Sequence, residues 1–387
     1  MGNIFNDLVR TIEANQANHA RGYFNCIPFS GMNRLESFIP GIEQSTYYLL
    51  TANSGVGKSK LARSLFIHNP YEYLKNNPQD DIKLDIYYFS LEESREKVIL
   101  SEISKYLFSK YRKRVSIKQL LSRGRYNTID SETIKQIHEA RDYINQFLEV
   151  VKIIDNVRSP SAIFNYMQNV AYNIGTFFDS QGVELSRQEH ERIKADLPGA
   201  KDKISYYRTT HPRHYVIVLT DHISLLYNEK SPTGSMMSQW ETMSTFSNKY
   251  CISLRDKYGF IPVNVQQQTS AKEQVESNFR GASVTEKLEP SLDGLANNKE
   301  TQRDANIVLG LFSPARYKIT EHRTYDITFW DNFYRSMHIL KDRDGESNGV
   351  LSMFFDGAVD YFEELPSMDN VDEISKVMQR VLKLKKR

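Results

Sequence analysis

Residues 51–60, TANSGVGKSK, constrain this chain more than any other segment. They follow the apolar run Thr46-Tyr47-Tyr48-Leu49-Leu50 and precede the helical pattern Leu61-Ala62-Arg63-Ser64-Leu65-Phe66. A strand that turns through a glycine-bearing loop into a helix gathers backbone N–H groups and the positive end of a helix at one point. That arrangement suits a polyphosphate. Asn53, Ser54, Gly55, Val56 and Gly57 would form the cradle, closed by Lys58, Ser59 and Lys60. Lys58 would reach the β- and γ-phosphates and the Ser59 hydroxyl would meet Mg2+. Ala52 stands where such loops usually begin with glycine. A nucleotide site is the expectation.

The chain has 387 residues, 40% of them hydrophobic, enough for one large or two medium domains around a sizeable core. No apolar run approaches the ~20 residues that a membrane span needs. The N-terminus lacks the charged-then-apolar layout of a secretion signal. Asn6 stands where a myristoylation signal requires Ser or Thr. Cys26 and Cys251 are too few and too far apart for a metal cluster or a disulfide framework. The expectation is a cytoplasmic protein without a membrane partner. The net charge is +2, so binding to nucleic acid would have to use local charge or charge built up by assembly.

Residues 3–17 carry a helical stripe of Ile4, Phe5, Leu8, Val9 and Ile12, which must be buried on the chain itself or on a neighbour. Residues 18–45 are punctuated by Gly22, Pro28, Gly31, Pro40 and Gly41 and read as linker and loop. From 46 to 90 the order is strand, phosphate loop, helix, strand, which implies a parallel sheet with helices on its faces. Residues 93–148 read as polar helices with a basic cluster that includes Arg112, Lys113 and Arg114. Further strands are expected at 150–155, 215–219, 260–265, 307–312, 336–340 and 350–355. A helix carrying Met236, Met237, Trp240, Met243 and Phe246 is expected between the strands at 215–219 and 260–265. Residues 180–213 are highly charged and read as an exposed, partly helical insertion. The basic C-terminal end reads as a solvated tail.

A phosphate loop alone binds; hydrolysis also needs a held Mg2+, a polarised water and positive charge on the developing γ-phosphate charge. Asp221 follows the most apolar strand and could order the Mg2+ shell, or simply cap a turn. Glu92, just past the strand at 84–90, could take a proton from water, or favour a helix N-terminus. Gln266, Gln267 and Gln268 end another strand, and one of them could touch the γ-phosphate. Lys341 and Arg343 could point together from a strand end, although composition alone favours an exposed turn.

Taken in order, these segments resemble the RecA-like motor domain of DnaB-type, superfamily 4 replicative helicases, including phage relatives. Phe89-Ser90-Leu91-Glu92 is similar to the family's "FSLE" segment with its catalytic glutamate. Val218-Leu219-Thr220-Asp221-His222-Ile223-Ser224 resembles its Walker B strand. The segment from Pro262 to Gln268 resembles the strand whose final glutamine senses γ-phosphate; Gln268 is assigned that role, with Gln267 the alternative one position away. Residues 290–309 are similar to the DNA-binding loop and the strand after it. Lys341-Asp342-Arg343-Asp344-Gly345 resembles the "KxRxG" element that reaches into a neighbouring subunit's site. Gly31-Met32-Asn33-Arg34-Leu35 fits the family's "GxxxLD" segment, with Glu36 in place of Asp.

The resemblance covers residues 27–364 and implies an α/β, RecA-like P-loop fold. Residues 1–26 would be a linker helix and linker that dock on an adjacent subunit, and residues 365–387 the basic tail. It implies ATP and Mg2+ as cofactors, held by the phosphate loop, Ser59 and, through water, Asp221. Glu92, Lys58, Gln268, Arg343 and Lys341 would be the catalytic set. The assembly would be a ring hexamer on single-stranded DNA, with ATP sites between subunits and a primase or loader as a further partner. No primase-binding collar is expected within this chain. The loop near 293–303 departs from the family pattern and leaves Lys299 and Arg303 as its cations. A RecA-like recombinase or annealing ATPase, and a nucleotide-switched DNA-binding protein, are the alternatives.

Overall fold

The computed structural model describes residues 4–125, 127–190, 204–231, 233–268, 288–295 and 298–385. Its centre is a nine-stranded sheet. In chain order the strands are β1 (Tyr48–Ala52), β2 (Lys83–Ser90), β3 (Val151–Ile154), β4 (His214–Asp221), β5 (Ile261–Gln267), β6 (Ile307–Phe312), β7 (Tyr334–Asp342), β8 (Val350–Asp356) and β9 (Tyr361–Glu364). Across the sheet they lie in the order β9-β8-β7-β6-β1-β5-β4-β2-β3. Neighbours from β6 to β3 are parallel, and β7, β8 and β9 extend the sheet antiparallel. This is the mostly parallel α/β architecture expected from the strand–loop–helix–strand order.

The central strands are apolar on both faces because both faces are covered; β4 is buried at every position. On one face, Tyr48, Leu50, Ile217, Leu219, Val263 and Val265 pack with Leu61, Ala62 and Leu65. Those three side chains belong to α2, which starts at Lys58–Arg63 and continues through a wider turn, Ser64–His68, into Asn69–Asn76. It is preceded by α1 (Ile4–Ala20) and followed by α3 (Arg95–Tyr111), α4 (Ser131–Glu139) and α5 (Arg141–Val150). On the other face, Tyr47, Leu49, Val216 and Val218 pack with α6 (Pro160–Ile174) and α7. Helix α7 runs from Gln239–Thr245 through Phe246–Cys251 to Ile252–Tyr258. It begins at a Ser238–Glu241 capping box, so Met236 and Met237 precede it instead of lying on it.

Two expectations need correction. The stretch 180–213 is only partly an exposed insertion. Glu184–Leu185 and Ile204–Thr209 flank Gly175–Asp179 in a three-stranded antiparallel sheet. Tyr206 and Arg208 face outward while Tyr207 turns inward towards Phe177 and Tyr258, a period of two that the density of charge conceals. Residues 191–203 lie outside the described residues. The C-terminal stretch is a helix, α8 (Val371–Lys385), that buries Ile374, Val377 and Val381 and leaves its lysines outside. Arg380 lies 4.5 Å from the Phe354 ring and 2.8 Å from Glu363, which fixes α8 to β8 and β9. By contrast, Leu8 and Ile12 of α1 are 56% and 55% exposed.

A buried ionic cluster ties α2 to the β8–β9 connection. Arg63 lies 2.5 Å from Asp360 and 2.8 Å from Glu93, Lys60 lies 2.5 Å from Asp360, and the Ser101 hydroxyl donates to Asp360 at 2.7 Å. Burial pushes the Asp360 carboxyl up, but Arg63 and Lys60 outweigh it and hold it well below the usual carboxylate range. A carboxylate depressed in the folded state contributes stability above its ordinary pKa, and that contribution is lost as pH falls through the folded value. Asp360→Asn, which tolerates the left-handed φ of 52°, should therefore cost about 3 kcal/mol in urea unfolding at neutral pH. The difference should shrink in acid. A loss below about 1 kcal/mol would show that Glu93 alone can satisfy Arg63.

Candidate functional site

The loop between β1 and α2 is held open by residues distant in sequence. Gly55 and Gly57 have φ of 74° and 111°. A Cβ on Gly57 would stand 3.0 Å from the Phe355 ring, so both conformation and space demand glycine there. Arg335 Nε donates to the Val56 carbonyl at 2.7 Å, Arg316 donates to the Ser54 carbonyl, and the Asn53 amide donates to the Tyr317 hydroxyl. The loop's carbonyl ends are thus engaged by protein cations, an arrangement suited to presenting N–H groups to an anion. Burial pushes Arg335 down to about 10, which leaves it charged at neutral pH, over the Phe355 ring at 4.7 Å. Lys58 is buried at the first position of α2. Lys60 turns away to Asp360, so its side chain belongs to the ionic cluster and not to the cradle.

The parallel register gathers the other candidates. Ala52 pairs with Gln267 on β5 and Leu311 on β6, Val265 pairs with Asp221, and Asp221 pairs with Ser90. The phosphate loop, Asp221, Gln267 and Glu92 therefore lie along one C-terminal edge, where parallel sheets carry their sites. Asp221 is buried; the Tyr88 hydroxyl donates to its Oδ2 at 3.2 Å, while Oδ1 is buried without a hydrogen bond of ordinary geometry. Burial pushes its carboxyl up, against the pull of the Ser59 hydroxyl, Arg63 and Lys58, and Glu92 adds to the rise. An unsatisfied buried carboxylate oxygen close to a serine hydroxyl is an oxygen donor set that fits Mg2+. The Glu92 side chain is 51% exposed and lies 3.9 Å from His222 Nε2. Burial, reinforced by Lys58 and opposed by Glu92, lowers His222 to about 4, so its imidazole is neutral at physiological pH.

The three glutamines divide by strand phase. Gln266 and Gln268 face α7; Gln267 shares the α2 face with Ala52 and Asp221. Gln266 donates to the Asn298 carbonyl at 2.7 Å and accepts from Thr301 at 2.6 Å. Gln268 donates to the Thr51 hydroxyl at 3.0 Å and the Ser291 carbonyl at 3.2 Å, which engages its amide.

Lys341 and Arg343 are not near their own phosphate loop. Lys341 pairs with Val308 near the start of β6, and the start of β6 pairs with Tyr48. The loop leaves the opposite end of β1, five residues on at about 3.3 Å each. Lys341 Nζ donates to the carbonyls of Gln302 at 2.6 Å and Ala305 at 2.7 Å, and Arg343 donates to that of Arg303 at 2.9 Å. They grip the end of the short helix Thr301–Asp304, where a cation suits the dipole. Lys299 and Arg303 are both exposed, Arg303 beside Glu300 at 3.7 Å. Sequence reading missed Arg316, Tyr317, Arg335 and Phe355. The only signal was Arg335 itself, an arginine inside an apolar strand.

No protein-family model matches this chain, and none of the curated proteins does. Solved structures do. The ATPase domain of G40P aligns with a TM-score of 0.63 at 17% identity, over 95% of this chain and all of that one. A DnaB-like replicative helicase, described with its interactions with primase, aligns with a TM-score of 0.62 at 18% identity, over 93% of this chain and 68% of that one. The fold is therefore the RecA-like one of such ATPase domains. Among the described residues no helix is long and apolar enough to cross a membrane.

Asp221 offers a test of the site's energetics. A carboxyl raised in the folded state lowers stability as pH rises from its ordinary pKa through the folded value. Asp221→Asn should thus be more stable than the parent by about 1 kcal/mol at neutral pH, with the gain vanishing in acid. Calorimetry across pH would measure it. A destabilised variant would mean that Tyr88 and Ser59 already satisfy the carboxylate.

Proposed function

We propose that this chain is an ATP- and Mg2+-dependent motor that works as a closed ring on single-stranded DNA, with each nucleotide site completed by the adjacent subunit. The observation that carries this reading is the separation of Lys341 and Arg343 from their own phosphate loop by the length of β1. A cationic pair at the far end of the sheet can serve a γ-phosphate only on another copy. The exposed Leu8 and Ile12 of α1 support the same assembly, because they offer that copy an apolar surface.

In this reading the loop amides and Lys58 bind the β- and γ-phosphates. Mg2+ would be held by Ser59 and, through water, by Asp221; when bound it neutralises phosphate charge. Glu92, exposed at the strand edge, accepts a proton from the attacking water. Sensing of the γ-phosphate falls to Gln267, which shares the loop's face, in preference to Gln268, whose amide is engaged with Thr51 and Ser291. Lys299 and Arg303 meet the DNA backbone, six copies concentrating charge that one chain of net charge +2 lacks. A primase or loader would be a further partner. The likeness to helicase ATPase domains supports the reading through the fold.

Glu92→Gln should keep ATP binding and lose turnover, since an amide cannot accept the proton. Equilibrium binding of a fluorescent nucleotide and a phosphate-release assay would separate the two. Normal turnover in the variant would make Glu92 a structural residue.

Subunit mixing tests the ring. Arg343→Ala spares its own loop but fails its neighbour, and Lys58→Ala does the reverse. Each alone should be inactive, because such a finger contributes on the order of 10³-fold or more in rate. Mixed rings contain some interfaces with both residues intact, and ATPase activity should partly return. If mixed rings form and no activity returns, the site is not shared between subunits.

A further inference from the structure

Three residues that the nucleotide reading leaves unused converge beside the phosphate loop. Glu289 precedes Pro290; His322 lies in the two-residue strand Glu321–His322; His338 lies in the middle of β7. His322 Nε2 is 2.8 Å from Glu289 Oε1, and His338 Nδ1 is 3.8 Å from Glu289 Oε2. One ligand atom from each residue falls within 4.8 Å of the others. The two histidine side chains are 2% and 6% exposed and the glutamate 13%. We infer that Glu289, His322 and His338 form a binding site for a divalent transition-metal ion of the zinc class.

Three features carry this beyond proximity. First, each imidazole has its remote nitrogen fixed: His322 Nδ1 lies 2.9 Å from the Tyr334 hydroxyl, and His338 Nε2 lies 2.9 Å from the Ser336 hydroxyl. The opposite nitrogens are thereby aimed at Glu289. Hydrogen-bonded remote nitrogens are how metal-binding histidines are oriented. Second, the backbone is shaped to bring the three together. Gly310 is the register partner of His338, and a Cβ there would stand 2.7 Å from the Pro290 ring. Glycine lets the segment carrying Glu289 close onto β6 beside His338. Third, the donor set is two imidazoles and one carboxylate, which suits zinc and its neighbours and not the all-oxygen preference of Mg2+. A cavity of about 10 Å3 borders Glu289, with Gln268, Asn53 and Val56 in its walls. That is room for about one water beside the glutamate.

The ion would tie β7, the Glu321–Asp326 hairpin and the Glu289 segment together. The tie lies one aromatic layer from the phosphate loop. Phe312 sits 5.6 Å from the His322 ring and stacks at 5.6 Å on Tyr317, whose hydroxyl accepts from Asn53. The inference stands whether or not the chain is a motor. Arg323, 3.6 Å from Glu289, faces the exposed side and is the competing cation.

The test uses untagged, nucleotide-free protein, dialysed against chelator and titrated with Co2+ while visible absorption is followed. About one equivalent should bind with the intense bands of a low-coordinate N/O site, and Zn2+ should displace it. His338→Gln and Glu289→Gln should lose the band. Tyr334→Phe, which keeps both imidazoles, should bind about 10–100-fold more weakly. Thermal melts of the parent with and without Zn2+ should differ, and those of Glu289→Gln should coincide. The absence of a saturable band in the parent would overturn the inference and leave a His322–Glu289 hydrogen bond with His338 beside it. So would an unchanged band in all three variants, or thiolate charge-transfer absorption that traces the ion to Cys26 or Cys251.

Discussion

The register of β1 between β5 and β6 is the constraint on which the rest depends. Side chains alternate between faces, so a slip of one residue would exchange every buried side chain of a strand for its neighbour. Polar contacts fix the register from inside the core. The Tyr47 hydroxyl, fully buried, accepts from Asn264 of β5 at 2.7 Å and contacts Ser247 of α7 at 3.0 Å. The Tyr47 amide donates to Asn306, just ahead of β6, at 3.1 Å. These groups would be unsatisfied in any other register, at a cost of about 1–3 kcal/mol each. The same alignment sets Asp221, Ala52 and Gln267 on one face and Thr51 and Gln268 on the other.

Two buried carboxylates near the phosphate loop have opposite fates. Asp360 is surrounded by Arg63, Lys60 and Ser101 and is held charged. Asp221 shares Arg63 with it and feels Lys58 in place of Lys60, and burial dominates. The first arrangement stabilises α2 against the sheet; the second leaves an oxygen that a cation would satisfy. A chain selected only for stability would have no use for the second, which is why its position at the strand edge is informative about function.

The sequence was most legible where local chemistry repeats a strong pattern. The glycines, Lys58 and the flanking strand and helix were readable because each residue type does something only that type can do. The parallel strands were readable because strands covered on both faces are continuously apolar. Strand phase was not readable, so Gln267 and Gln268 could not be told apart without β5 set against β1. Helix α8 was hidden because three buried residues, Ile374, Val377 and Val381, sit among many charges. The sheet around Phe177 was hidden in the same way. The grip of Lys341 and Arg343 on the carbonyls of 302–305 was beyond reach, since main-chain acceptors leave no mark on composition.

The phosphate loop occupies a handful of consecutive residues, yet the groups that shape it arrive late in the chain. Arg316, Tyr317, Arg335 and Phe355 restrain it from segments more than two hundred and fifty positions downstream. The loop is thus a product of chain closure. A fragment ending before β7 would retain the whole glycine-lysine signature and lose both the buried arginine and the ring that lies against Gly57. In a nascent chain emerging from its N-terminus, the motif would be complete in sequence long before it was complete in shape.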